Sequence, residues 1–444
     1  MAFLALGVFF YSGATVPLTP VTNSDVGGGS PISTVLSAIL LTGTLTFTAF
    51  HWRRCLPLVL KILPFLALLG LAAVSTLWSQ ALEATLRRSV TLLGVILYSV
   101  SVYVGVGPWR FMKMTLLALV GIAFAGVAIA VVKPAIGMDV GDYANAVRGL
   151  YGQKNGFGMA LFNATLALCF LILRRQRLKS ADLVVVAILI AILIVTRSTT
   201  SLLLAVGSFA ATITLLWIRR GGAWRAVALW CVASGFASAF CLVAVLGMAG
   251  TFDLIGKDST LTGRTEIWEA VWQSIGRRSL FGYGYSAFWL PESREVQFIW
   301  SEIEWKTPAA HSGYLEVRLQ FGDLGVVLLG IMLFSSFVRI AKGLVGQNPE
   351  LACWFLLFIV TQAIFDRTES GLLSPDLRLV FWIIATLALS ERPPCLVVAR
   401  SGRPSSLNGT FIAPLTRVRM NQRASAAQSS AVQPQNNFQT RRSP

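Results

Sequence analysis

The sequence predicts an all-α polytopic membrane protein of about twelve transmembrane helices, with one long polar loop between the ninth and tenth spans. Of its 444 residues, 55% are hydrophobic and only 13% are charged, whereas soluble globular proteins carry about 25% charged residues. Apolar stretches of about 20 residues, the length that crosses a hydrocarbon core, recur from the N-terminus to about residue 390. The stretches are continuously apolar, which argues against the alternating strands of a membrane β-barrel.

The predicted spans follow one another through most of the chain. The first lacks the basic n-region of a secretory signal, so we expect a membrane helix there in preference to a cleaved leader. The spans are 2–18, 32–51, 57–78, 90–106, 112–132, 157–173, 183–196, 201–218, 224–249, 322–338, 351–365 and 377–390.

These spans divide the chain into four predicted segments. Residues 1–250 hold the first nine helices, and residues 251–321 form a long extracytoplasmic loop with an interfacial helix that starts near Arg264. Residues 322–390 hold the last three helices. Residues 391–444 are rich in Ser, Gln, Asn and Arg, a composition typical of a disordered basic cytoplasmic tail.

The distribution of charge predicts the topology. Basic residues collect in alternate connections, together with only three acids, Asp182, Glu350 and Glu391. The basic connections contain Arg53, Arg54, Arg110, Lys113, the run 174–179, Arg219, Arg220, Arg225, Arg339 and Lys342. By the positive-inside rule these connections and both termini face the cytoplasm, as expected for a multi-pass protein of the bacterial inner membrane. The net charge of +17 is therefore a topology signal that requires no nucleic-acid partner.

Four polar motifs lie in the predicted outer connections or at outer span ends. They are Arg148-Gly-Leu-Tyr-Gly-Gln-Lys-Asn155, Thr196-Arg-Ser-Thr-Thr-Ser201, Leu261-Thr-Gly-Arg-Thr-Glu-Ile-Trp268 and His311-Ser-Gly-Tyr-Leu-Glu316. With Phe281-Gly-Tyr-Gly-Tyr-Ser-Ala-Phe288 and Gly322-Asp-Leu-Gly325, their order and spacing resemble the O-antigen ligase and polymerase superfamily. Within it, the form of the motifs is most similar to the exopolysaccharide (succinoglycan-type) polymerases, over about residues 30–390.

The resemblance implies a glycosyltransferase that moves a glycan from undecaprenyl diphosphate to an acceptor sugar outside the cytoplasmic membrane, without a metal or nucleotide cofactor. We expect polymerisation of lipid-linked repeat units into exopolysaccharide. A ligase that transfers finished glycan to lipid A-core is the alternative. A flippase or transporter is less favoured, because nearly all charges lie at span ends. By analogy with the family, export and chain-length-control proteins are expected partners, along with the membrane and the lipid-linked glycan.

A diphosphate leaving group requires permanent positive charge, and guanidinium offers it a planar bidentate fork. The expected diphosphate-binding residues are Arg148, Arg197 and Arg264, with Lys154 as an additional point charge. An arginine at the end of a span also serves as an interfacial anchor, and that alternative stays open for Arg197. Members of the family often carry the arginine two positions further along, where this chain has Thr199.

His311 is the only histidine on the predicted outer face, and imidazole suits a general base near neutral pH. Its alternative role is structural. Candidate acceptor or sugar contacts are Glu266, Tyr283, Tyr314 and Glu316, although an aromatic belt also accounts for Tyr283. Direct displacement would invert the anomeric carbon, which we favour. A retaining mechanism needs a carboxylate nucleophile, for which Glu266, Glu269 and Glu316 remain open.

Overall fold

The computed structural model describes residues 2–14, 31–139, 145–219, 264–303, 306–346 and 348–390. Within these ranges the chain is helical, and its only β-type pairing is an isolated bridge between Met138 and Val147. The described α-helices are α1 (Ala2–Tyr11), α2 (Pro31–Phe50), α3 (Trp52–Val59), α4 (Leu63–Val74), α5 (Leu82–Gly105), α6 (Gly107–Val132), α7 (Pro134–Gly137), α8 (Lys154–Arg175), α9 (Ser180–Thr196), α10 (Thr199–Arg219), α11 (Arg264–Arg277), α12 (Arg294–Ile303), α13 (Gly313–Val345), α14 (Pro349–Phe365) and α15 (Leu377–Ser390).

Seven segments of the described chain are long and apolar enough to cross a membrane: Ile32–Phe50, Trp52–Leu77, Leu82–Gly105, Gly107–Val132, Lys154–Arg175, Thr199–Arg219 and Gly313–Val345. Three shorter apolar helices are Ser180–Thr196, Pro349–Phe365 and Leu377–Ser390. The chain is therefore a polytopic helical membrane protein. The predicted ninth span, at 224–249, lies outside the described residues, as do the last four residues of the first, 15–18.

Helix α8 is the central helix of the bundle. In its most apolar window 89% of the residues are buried inside the protein, compared with 33% for α6 and for α10, which both pack against it. The side chains of α8 are small where neighbours approach closely: a Cβ at Gly158 would lie 2.6 Å from Ser198 Oγ. The outer helices instead present apolar faces to the lipid, since their exposed positions include Leu117, Phe124 and Phe334.

Helices α11 and α12 form a second, smaller core against the first turns of α13. Ile267 and Val271 from α11 and Val296 and Ile299 from α12 are fully buried in it. A helix is present where the interfacial helix was predicted, and its interfacial position stays a prediction. This helix packs on protein, since Trp268 Nε1 donates to Ala310 O at 2.9 Å, while Trp272 is half exposed. These helices hold the segment that carries His311 against the end of the bundle.

A break at Gly322 lets α13 begin earlier than the predicted tenth span. The helix runs from Gly313, and Gly322 within it has φ 61° and ψ −151°, a conformation that side chains with a Cβ scarcely adopt. The segment 279–284 lies against the break, since Tyr283 N donates to Leu319 O at 2.8 Å and Asp323 N to Ser279 O at 2.8 Å. The first two turns of α13 therefore belong to the polar end of the bundle.

Two of the basic residues that were predicted to be cytoplasmic, Arg219 and Arg339, contact residues of neighbouring helices. Arg219 at the end of α10 pairs with Glu350 at the start of α14 at 2.9 Å. Arg339, in the second half of α13, donates to Ser390 Oγ and to Lys61 O, both at 2.9 Å. The first contact joins α10 to α14, and the second joins α13 to α15 and to the segment that contains Lys61. The orientation of this end toward the cytoplasm stays a prediction.

Candidate active site at one end of the helix bundle

Three side chains from separate parts of the chain meet around the carboxylate of Glu369, which lies in the turn after α14. Asn155 Nδ2, in the first turn of α8, donates to Glu369 Oε1 at 2.8 Å. Arg264 Nη2, at the start of α11, lies 3.4 Å from the same oxygen. His311 Nδ1, just before α13, lies 4.0 Å from Glu369 Oε2. We call these four residues the Glu369 cluster.

The cluster is shielded from water but still reachable. The side chains of His311 and Glu369 are each 12% exposed, and that of Arg264 is 20% exposed. Burial and the neighbouring Arg264 guanidinium lower the pKa of His311 from 6.5 to about 4. The imidazole is therefore neutral at pH 7, and its contact with Glu369 is not an ion pair of two charged groups.

Burial also raises the pKa of Glu369, while the positive charges of Arg264, Arg378 and Lys154 oppose the shift. The guanidinium of Arg264 on one of its oxygens favours the ionised form and so opposes the effect of burial. A buried carboxylate between an arginine and a histidine can orient both groups. Perturbed titratable groups of this kind are concentrated at functional sites.

The backbone at His311 is itself unusual. Its φ of 49° lies in the left-handed region, which non-glycine residues seldom occupy. Gly313, two residues after His311, is fixed against the turn after α14. Its N–H donates to Asp366 O at 2.7 Å, and a Cβ at this position would lie 2.9 Å from Asp366 Cβ. Such conformations persist where the surrounding structure over-determines them, often at functional sites.

The loop from Asp366 to Arg378 is the scaffold of the cluster, and sequence reasoning missed it. Arg378 Nη1 lies 3.2 Å from Asp366 Oδ1, its Nη2 2.6 Å from Asp376 Oδ2, and the same Nη2 donates to Gly371 O at 2.8 Å. Arg378 is 6% exposed and Asp366 1%. This buried network fixes the turn that carries Glu369. In the sequence, the signal for this network was the presence of acidic and basic residues between two adjacent predicted spans, 351–365 and 377–390.

Arg148 supports the backbone of its own loop. Its guanidinium donates to Ile136 O at 3.0 Å, to Gly152 O at 3.3 Å and to Ala135 O at 3.4 Å. These bonds shape the turn immediately before Lys154 and Asn155. The predicted diphosphate contact of Arg148 remains a prediction, and the structure adds this backbone role to it.

Lys154 and Arg197 lie at helix ends near the cluster. Lys154 begins α8, its backbone N–H donates to Asp139 Oδ2 at 3.0 Å, and its charge reaches Glu369. Arg197 is exposed and forms the left-handed C-cap of α9, with φ 53°. Of the four predicted diphosphate-binding residues, Arg264 is therefore the one in direct contact with Glu369.

The predicted sugar contacts occupy different environments. Glu266 is exposed on α11. Tyr283 is buried, and its hydroxyl donates to Ser274 O at 2.8 Å. Tyr314 Oη donates to Ala363 O at 2.9 Å, which ties α13 to α14. Their contact with sugar stays a prediction, with Tyr283 and Tyr314 engaged in packing the site.

Glu316 lies in the wall of a cavity of 810 Å³ beside the cluster. Its Oε1 accepts from Trp289 Nε1 at 2.7 Å and from Ala310 N at 2.8 Å, and its Oε2 accepts from Gln320 Nε2 at 3.4 Å. Other cavity residues are Gly313 and Ser370, which adjoin the segments that carry His311 and Glu369. In the described chain, no group of three or more His, Cys, Asp or Glu residues could hold a metal ion.

The fold and the site define a multi-pass helical membrane protein with a polar, partly buried cluster of Arg, Glu, His and Asn at one end of its bundle. Residues 184–330 match the family model described as O-antigen ligase. The chain is also 33% identical over 150 residues to the exopolysaccharide production protein ExoQ of Rhizobium meliloti (strain 1021). That alignment covers 31% of this chain and 34% of the relative.

These matches confirm the resemblance to the O-antigen ligase superfamily, near ExoQ, that the motifs indicated. The region matched by the family model contains Arg197, Arg264 and His311. Asn155 and Glu369 lie outside it. The chain spans about a third of the length of this relative.

Proposed function

We propose that this chain polymerises undecaprenyl-diphosphate-linked oligosaccharide repeat units into exopolysaccharide, by glycosyl transfer without a metal, at the extracytoplasmic face of the membrane. The observation that carries the proposal is the Glu369 cluster, in which Arg264 and the neutral His311 flank one buried carboxylate. The two family matches support an activity of the ligase and polymerase type.

In this proposal Arg264 binds the diphosphate of the donor. Its 3.4 Å contact with Glu369 occupies one Nη, and a guanidinium has five N–H donors, so others remain for phosphate oxygens. The partly buried position strengthens the attraction, because a charge in a site of low dielectric constant acts more strongly than in water. As the glycosidic bond breaks, negative charge collects on the diphosphate, and Arg264 and Lys154 stabilise it.

His311 acts as the general base. The acceptor hydroxyl loses its proton to the imidazole as its oxygen attacks the anomeric carbon, and the diphosphate leaves with the bonding electron pair. The lowered pKa keeps the imidazole neutral and able to accept the proton. A bound diphosphate would offset the charge of Arg264 and raise the pKa of His311, so the base strengthens when the donor is present.

Glu369 positions both groups. Its two oxygens face Arg264 and His311, while Asn155 holds the carboxylate by a 2.8 Å hydrogen bond. The imidazolium that forms during proton transfer would be stabilised by this nearby negative charge. Glu369 is therefore a positioning residue in the proposal, and its effect on the reaction passes through Arg264 and His311.

The environment of Glu316 supports inversion over retention. Both of its oxygens accept hydrogen bonds from the protein, which leaves it poorly disposed to attack an anomeric carbon. Glu266 and Glu269 are exposed on α11, whereas a nucleophile requires a fixed near-attack geometry. Direct displacement by the acceptor is the mechanism that fits these surroundings.

A ligase that transfers the glycan to lipid A-core is the second candidate. The observation in its favour is that residues 184–330 match a family model described as O-antigen ligase. Donor, diphosphate contact and general base would be the same in both reactions. The difference lies in the acceptor, and the described residues hold no feature that selects lipid A-core.

Reconstitution of the purified full chain in proteoliposomes tests the proposal. With single lipid-linked repeat units as the substrate, we expect a ladder of longer lipid-linked products. His311→Ala is expected to abolish the ladder. The matched control is His51→Ala, because His51 stacks on Phe47 between α2 and α3. A full ladder from His311→Ala would remove this residue from the chemistry, and transfer only onto added lipid A-core would favour the ligase.

A further inference from the structure

The 810 Å³ cavity beside the Glu369 cluster has a lining that the proposed chemistry does not use. Its volume falls within the range of about 300–1,000 Å³ that is typical of ligand pockets. The walls come from α5, from the segment 286–291, from α12, from the segment 306–309, from the start of α13 and from the loop 370–374. The cavity therefore opens between the helix bundle and the second, smaller core that α11 and α12 form.

Two aromatic side chains line this cavity and remain partly exposed, Trp289 and Trp300. Their indole nitrogens are engaged, since Trp289 Nε1 donates to Glu316 Oε1 at 2.7 Å and Trp300 Nε1 to Thr307 O at 2.8 Å. A hydrogen bond from the indole nitrogen therefore fixes the orientation of each ring. Large rigid aromatic surfaces with fixed orientation suit the apolar faces of sugar rings.

The charged groups of the cavity are Arg88, Lys306 and Glu316. Arg88 and Lys306 are exposed, and neither forms an ion pair within the described residues. Glu316 is buried at 7% exposure, and both of its oxygens already accept hydrogen bonds. Among the described residues, the cavity thus offers two exposed cations, Arg88 and Lys306, while the one acid in its wall is hydrogen-bonded by the protein.

We propose that this cavity binds a carboxylate-bearing segment of the glycan, with Arg88 and Lys306 as its cationic contacts and Trp289 and Trp300 against the sugar rings. The inference rests on the proposed function, because it assigns a glycan to the space next to the transfer site. It adds a substrate class, an acidic saccharide. Carboxylate recognition by a guanidinium and an ammonium is charge-assisted and geometrically specific.

Binding to the purified full chain in lipid nanodiscs tests this inference by isothermal titration. The probes are a tetrasaccharide of β-1,4-linked glucuronic acid and cellotetraose, which has the same linkage and no charge. We expect the acidic probe to bind roughly tenfold more tightly, as one or two charge-assisted contacts allow. Raising the salt concentration is expected to reduce that preference.

The double variant Arg88→Gln/Lys306→Gln is expected to bring the two probes to within about threefold of each other. Arg87→Gln is the matched control, because Arg87 is adjacent on α5 and pairs with Glu83 at 3.6 Å. Equal binding of both probes by the wild type, or an unchanged preference in the double variant, would overturn the inference. So would binding of inorganic diphosphate that is lost in the double variant and kept in Arg264→Gln, since it would assign the cavity to the carrier.

This measurement requires no turnover. Failure of the protein to polymerise repeat units would contradict the proposed function and leave the binding result readable. Failure to distinguish the two probes would contradict the acidic-glycan site alone. The double variant changes two exposed side chains and the control a partly exposed one, so size-exclusion profiles and melting temperatures are expected to match the wild type.

Discussion

Glu369 Oε2 lies 4.0 Å from His311 Nδ1, although in the sequence His311 precedes the long helix α13 and Glu369 follows α14. The contact exists because α14 returns antiparallel to α13, and because the Gly313 N–H donates to Asp366 O at 2.7 Å. Arg264 then approaches the other carboxylate oxygen at 3.4 Å. The carboxylate of Glu369 thereby contacts both the proposed base, His311, and the cation Arg264.

Replacing Glu369 by Gln keeps the side-chain volume and removes the charge that faces Arg264 and His311. We expect the rate of polymerisation to fall roughly tenfold to a hundredfold, because a charge-assisted contact contributes about 1.5–3 kcal/mol. Glu369→Asp should recover part of the loss. The measurement is initial rate in proteoliposomes at equal protein content.

The matched control for Glu369→Gln is Glu350→Gln, which removes an Arg–Glu pair at other helix ends. We expect it to leave the rate within about twofold of the wild type, because exposed pairs contribute about 0–1 kcal/mol. Equal losses in both variants would show that Glu369 acts only through general stability.

The pH dependence of kcat/KM reports the free enzyme. The folded pKa of His311 is lowered to about 4, so the neutral, active form persists as pH falls and is lost only on passing through that value. We therefore expect His311 to add no inflection near pH 6.5 to kcat/KM measured at low donor concentration between pH 8 and 5.5. Burial raises the pKa of Asp366 to about 7, so this group does titrate in the same window. A halving of kcat/KM close to pH 6.5 that persists in both Asp366→Asn and His51→Ala would contradict the assignment.

Arg148→Lys tests the backbone role of the guanidinium. A lysine cannot reproduce three N–H donors directed at Ile136 O, Gly152 O and Ala135 O. We expect the melting temperature of the purified protein to fall by a few degrees, as for the loss of about 1–2 kcal/mol. An unchanged melting temperature with a raised KM for the lipid-linked donor would instead support direct diphosphate binding.

Gly322→Ala tests the break in α13. Gly322 has φ 61°, and a Cβ there would meet the backbone of Ser279 and Leu280. We expect a loss of at least about 2–3 kcal/mol in stability, seen as poor accumulation in the membrane. Gly330→Ala is the control on the same helix, because a Cβ at Gly330 meets nothing within 4 Å. Normal accumulation of Gly322→Ala would refute this account of the break.

The sequence was sufficient to predict the helical membrane class and a helix near Arg264. It also selected Arg264 and His311, which the structure brings to the same carboxylate, while their roles in the reaction stay predictions. Hydropathy determines spans, and short polar motifs at span ends are visible against apolar surroundings. It did not identify Glu369, Asp366 and Arg378 as site residues. Acidic and basic residues after a span look like head-group anchors, and only the packing of α13, α14 and α15 brings them beside His311.

The aromatic motif 281–288 shows a second limit of prediction from sequence, because a residue that was predicted to contact sugar is buried. Tyr283 was a candidate sugar contact, yet it is buried and forms an edge-to-face pair with the equally buried Phe288, with ring centroids 4.9 Å apart. Their spacing is equally suited to core packing, and sequence alone does not separate the two roles. Trp289, which follows this motif directly, is partly exposed and lines the cavity together with Trp300, which was not singled out.

The most direct test of polymerase activity is the profile of lipid-linked glycans in a strain that lacks this chain. We predict that single repeat units accumulate on the carrier, and that a plasmid copy restores long polymer while the His311→Ala copy does not. Long polymer on the lipid carrier in the deletion strain would contradict the account and identify a ligase.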